Sequence, residues 1–185
     1  MGSPETSPGF VTLGRRPAME DPRGLVLACH ERIRSFCALA VRLATRDDVP
    51  VTEVVDGCGR LVRYFAEALP LHARDEEESL APRLRGRIAA LDEALRRMED
   101  EHHAHAASVD ALVEGWRSLG LRPGDRALRV SLGAASVQVR DAFEAHLRDE
   151  EAEVLPYLTS LSSAECDAIV HEIRARRAPP SDRAT

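Results

Sequence analysis

From Ile88 to Trp116 the chain sets Ile88, Leu91, Leu95, Met98, His102, His105, Val109, Leu112 and Trp116 in alternating steps of three and four, without an exception. Only an α-helix returns side chains to one face at that spacing, and one stripe over about eight turns needs partner helices to cover it. The middle of the stripe is histidine. Whatever packs against this helix must therefore bury apolar side chains at both ends and accommodate ionisable groups between them.

Three further segments repeat that design. Asp21 can cap and Pro22 can open a helix running from 22 to about 46, with Val26, His30, Ile33, Cys37, Ala40 and Ala44 inward, until "RDDVP" breaks the pattern. A second helix starts near Thr52 and carries Val54, Cys58, Leu61, Phe65, Leu69, His72, Glu76 and Leu80 before Gly86 stops it. Pro70 lies inside it and removes one backbone hydrogen bond, which predicts a kink or a short break just before His72. Gly120 closes the third helix, and a fourth starts after Asp125 with Ala135, Val139, Ala142, His146, Glu150, Val154 and Tyr157 on one side. "SSAE" is a capping box of Ser162 and Glu165 that announces a short last helix through Ile169 to about Arg176. No segment alternates with a two-residue period. The expected class is all-α: an up-down-up-down four-helix bundle with a short fifth helix at its C-terminal end. The expected organisation is a flexible N-terminal arm at 1–20, the bundle at 21–160, the C-terminal helix at 161–178 and a frayed tail at 179–185.

A length of 185 residues suits one domain, and 25 basic against 31 acidic residues give a formal charge of -6. Every basic residue is Arg, none lies in a basic tract, and nucleic acid is excluded as an expected partner. No apolar run reaches the length of a membrane span or a secretory signal core. Cys29, Cys37, Cys58 and Cys166 form no CxxC pair; three of them sit at helical spacing among apolar residues and read as small hydrophobes, and Cys29, beside His30, is the one to watch. A reducing cytoplasm is the expected compartment.

Two segments are near copies: "HARDEEESLAP" at 72–82 and "HLRDEEAEVLP" at 146–156. Each puts a His and a Glu four apart, hence on one helical face. At about 1.5 Å rise per residue, counting from the predicted turns brings His30, His72, Glu76, His102, His146 and Glu150 to a common depth in the bundle, within about two turns. Six buried ionisable groups would cost several kcal/mol each if unpaired. Four imidazoles and two carboxylates form an N/O cage for two cations, with the carboxylates bridging or capping them; iron suits such a set first, then manganese or zinc. Two anionic ligands leave the site cationic, which favours an added oxide, hydroxide, water or exogenous anion. His105 reads as a core or outer-shell residue, while Glu77 and Glu151 are placed to orient ligands from behind. His103 and His171 are expected in solvent, and Asp75, Glu78, Asp149 and Glu153 on a hydrated face.

These residues resemble the hemerythrin-like HHE cation-binding domains: one His in the first helix, "HxxxEExxxxP"-like segments in the second and fourth, and Glu101-His102 in the third. The likeness spans about residues 22 to 160. It implies a four-helix bundle around a non-haem di-iron centre, oxo- or hydroxo-bridged, with His30, His72, Glu76, His102, His146 and Glu150 as ligands and the two Glu as bridges. Oxygen-carrying members have HxxxH in the third helix; here His102 and His105 are three apart, so reversible oxygen carriage drops in rank. Iron-sensing versions add a Glu directly after the second-helix His, where this chain has Ala73.

The expected function is to bind or react with oxygen, nitric oxide or hydrogen peroxide. If there is turnover, a peroxidase- or catalase-like oxidoreductase is the natural candidate, with Tyr157 as a redox or hydrogen-bonding neighbour. The alternative is a non-catalytic iron or gas sensor, or an iron-handling protein. The sequence assigns no protein partner.

Overall fold

The computed structural model describes residues 21–178, and every regular element among them is helical. The arm expected at 1–20 and the tail expected at 179–185 lie outside the described residues. Helix α1, Pro22–Thr45, starts where Asp21 accepts the Arg23 N–H at 3.1 Å and Pro22 takes the first position. It buries Val26, His30, Ile33, Cys37, Ala40, Leu43 and Ala44.

The second rod, residues 51–84, is helical throughout but not α-helical throughout. Helix α2 (Val51–Arg63) passes through a π-turn (Tyr64–Ala68) into α3 (Leu69–Asp75), then through a second π-turn (Glu76–Leu80) into α4 (Ala81–Leu84). The kink or break expected at Pro70 is thus replaced by a widened turn directly before it. The Leu69 N–H reaches back to the Tyr64 carbonyl, so the ladder is already loosened where Pro70 has no N–H to give. Pro82 repeats the device, following an Ala81 N–H bonded to the Glu76 carbonyl. The stripe explains why. Leu61, Phe65 and Leu69 span eight residues where two α-turns hold about 7.2, and one extra residue per π-turn keeps all three buried.

Helix α5 is Ala89–Leu121; α6 is Arg126–Glu153, its N-terminus capped by Asp125 accepting the Leu128 N–H at 3.0 Å. A 3-10 turn (Leu155–Ser160) leads to α7, Ser163–Arg177, which opens with the reciprocal Ser162/Glu165 box. Two stripe assignments shift. Ile88 is the N-cap of α5 and 46% exposed, so the buried face begins at Leu91. On α6 the larger Leu132 and Phe143 take the core while Ala135 and Ala142 are only half-buried, beside the α5 seam.

α1 packs on α6, and α5 packs on both α2 and α6. Two separate dry clusters result. One holds Ile33, Leu61, Phe65, Trp116 and Leu147; the other holds Val26, Leu80, Leu84, Leu95, Met98 and Ile169. On every rod the histidines and glutamates fall between them: His30 between Val26 and Ile33, His72 and Glu76 between Leu69 and Leu80, His102 between Met98 and Val109, His146 and Glu150 between Phe143 and Val154. No helix among the described residues is long and apolar enough to cross a membrane.

Close approach of α1 and α2 depends on Gly57, where an added Cβ would lie 2.3 Å from the fully buried Leu43 Cδ1. Alanine normally stabilises a helix interior relative to glycine. At this position Gly57→Ala is expected to destabilise by about 1–3 kcal/mol through overpacking, measured by denaturant unfolding.

Candidate metal centre

His30 and His72 are delivered by α1 and α3, His102 by α5, and His146 by α6; Glu76 opens the second π-turn and Glu150 lies in the last turn of α6. The structure brings all six sequence-selected residues together. Two donor groups form: His30, His72, Glu76 and Glu150, and His102, His146 and Glu150, each with ligand atoms within 4.8 Å of one another. Both carboxylates stand between imidazole pairs. Glu76 Oε1 is 3.3 Å from His72 Nε2 and 3.6 Å from His30 Nε2, while its Oε2 is 3.4 Å from His102 Nε2. Glu150 Oε2 is 3.2 Å from His30 Nε2 and 3.7 Å from His146 Nε2.

All four imidazoles thus turn Nε2 inward. On three of them Nδ1 is received by a carboxylate from another rod: His30 by Glu151 at 2.8 Å, His102 by Glu77 at 2.7 Å and His146 by Glu101 at 2.6 Å. Such contacts fix tautomer and ring direction, leaving Nε2 free as a donor atom. Glu77 and Glu151 are where the sequence placed them. The doubled "EE" of the two copied segments is thereby explained: the first Glu points into the slab and the second reaches a neighbouring rod's imidazole. Glu101 was not singled out for this role; its position directly before His102, on the α5 edge toward α6, was the available signal. Arg34 in turn holds Glu151 at 3.0 Å.

The remaining candidates are distributed differently. His105 stacks beside Phe143 and edge-on to His146, with ring centroids 5.0 and 5.6 Å away, and its buried Nδ1 has no partner. It belongs to neither donor group. Tyr157 lies past the end of α6, half-buried against the second dry cluster. His103 and His171 are exposed. Asp75 departs from expectation: only 2% exposed, it is buried under α7, whereas its counterpart Asp149 is exposed. Cys29 is not an activated thiol, since burial pushes it up more than Arg177 pulls it down; burial likewise pushes Cys37 up to about 12 and Cys58 to about 11.

The electrostatics follow from burial. Burial opposes charge on His30, His72 and His102, and His72 is held down at about 4. His30 and His102 overcome burial through the two glutamates and are held at about 10 and about 9. Burial and the neighbouring Glu76 charge push Glu150 up.

A metal fits these residues. His30 Nε2, His72 Nε2 and both oxygens of Glu76 and of Glu150 are buried without a hydrogen-bond partner. Orphaned polar atoms on this scale are rare in native interiors, and coordination would satisfy them together. The donors are nitrogen and oxygen without thiolate, as imidazole-carboxylate sites for first-row metals are.

An all-helical protein with a buried His/Glu donor slab is what fold and site define together. The model of the hemerythrin HHE cation binding domain matches residues 21–172, and the chain belongs to that family. No curated protein matches the chain.

Proposed function

We propose that this chain is a hemerythrin-like di-iron protein, built as an up-down-up-down four-helix bundle, that binds or reacts with oxygen, nitric oxide or hydrogen peroxide. The observation that supports it is the convergence of four Nε2 atoms and two carboxylates in one slab between the apolar clusters, with no other partners for most of them. His30, His72, Glu76, His102, His146 and Glu150 would hold two iron ions, manganese and zinc being the other metals suited to the set. When bound, iron supplies Lewis acidity and a redox change. The chain supplies the rest. Glu77, Glu101 and Glu151 set the imidazole directions, and the clusters above and below exclude water. Beside His72, His102 and His146 lies a cavity of about 280 Å³ walled by Phe65, Leu69, Val109 and Phe143, large enough for a diatomic or peroxide.

Peroxide decomposition by iron-loaded protein tests this reading. A rate well above that of His72→Ala is expected; a rate equal to the variant's would remove turnover. The second reading, a non-catalytic iron or gas sensor, is favoured by the docking of α7 on the segment that carries His72 and Glu76. It predicts a melting temperature that rises with iron while peroxide is untouched. Glu77→Gln is expected to weaken iron binding by about 10–100-fold with helix content unchanged, measured by competition with a chelator.

A further inference from the structure

We infer that α7 is a latch on the metal site, with Arg176 and Arg177 acting as positioning residues for His72 and Glu76. The inference rests on the metal-binding reading above. Asp75 sits between those two donors in sequence, is 2% exposed, and is bonded by Arg176 and Arg177 from the last turn of α7. A buried carboxylate needs such partners, and both come from outside the four long rods.

The placement of the arginines is specific. Arg176 also donates to Glu78 Oε2 and Ser79 Oγ, each at 3.2 Å, so one guanidinium spans the start and the middle of the π-turn that Glu76 opens. That turn departs from the α-helical ladder at a donor, because its hydrogen bonds skip an extra residue. Arg177 additionally donates to Cys29 Sγ at 3.4 Å, next to His30. Two neighbouring side chains of α7 therefore hold side chains beside three of the six donors, on two rods, without touching a donor atom. Asp149, the counterpart of Asp75 in the copied segment, is exposed, so this hold exists on one side of the slab only.

The test compares iron release from full-length protein into excess chelator for wild type, Arg176→Gln/Arg177→Gln, Arg176→Lys/Arg177→Lys and Arg87→Gln. The last removes the 3.1 Å pair with Glu165 at the opposite end of α7 and leaves Asp75 alone. The glutamine pair is expected to release iron about 10-fold faster than wild type, in the range that outer-shell losses produce. The lysine pair should recover most of that difference, and Arg87→Gln should release at the wild-type rate. Release rates that follow each variant's melting temperature, with Arg87→Gln falling on the same line, would reduce α7 to ordinary packing and overturn the latch. If the glutamine pair does not fold, Arg177→Gln alone is read against Arg87→Gln by the same criterion. Wild type that takes up no iron would overturn the metal reading itself, whereas iron-loaded wild type with unchanged release in the glutamine pair overturns the latch alone.

Discussion

Glu76→Ala is expected to lose both metal ions, leaving less than about one hundredth of the wild-type affinity, beyond what an outer-shell change produces. Among the described residues no other single side chain is shared so widely by the imidazoles: its two oxygens lie within 3.6 Å of the Nε2 atoms of His30, His72 and His102, drawn from three rods. Removing it takes away one of the two carboxylates that join the donor groups and leaves Glu150 alone between them. Glu77 is committed to His102 Nδ1 and Asp75 to the arginines of α7. Metal analysis after gel filtration, with circular dichroism to show the helices intact, checks the prediction. Metal content near wild type would mean that Glu76 is not a ligand.

Trp116→Ala is expected to cost about 3–5 kcal/mol, the largest single loss in the dry half of the bundle. Trp116 is fully buried on α5 and packs in the cluster with Ile33, Leu61, Phe65 and Leu119. Its truncation leaves a cavity where the rods converge, and few side chains of comparable volume are available to collapse into it. One contribution works the other way: the indole N–H has no partner in the structure, so its removal relieves one buried donor. Urea unfolding of metal-free wild type and variant gives the difference without interference from metal binding. A loss under about 1 kcal/mol would show that this cluster repacks freely.

Much of the fold is legible in the chain because its signals are local. The Asp21 and Asp125 caps, the Ser162/Glu165 box and the three-four stripes each fix a helix end or face from a few neighbouring residues. The six candidate donors are legible for a related reason: an ionisable residue inside an apolar stripe needs a partner, and counting rise per residue levels the rods. What escaped is less local. Both π-turns were written as successive steps of four, but a fixed helical period reads these as tolerable scatter, and Pro70 alone suggested a break. Asp75 looked like one more acid in a hydrated run because what buries it, α7, arrives about a hundred residues later. Glu101 gives the same lesson, since its partner His146 sits on another rod and nothing near residue 101 announces it.

The most direct test is the number of metal ions per chain in freshly purified protein, determined by elemental analysis together with the optical spectrum. Two iron ions per chain, falling toward none in Glu76→Ala and His72→Ala, is the expected result. Wild type free of metal, and unable to take up iron, manganese or zinc when each is supplied, would contradict it.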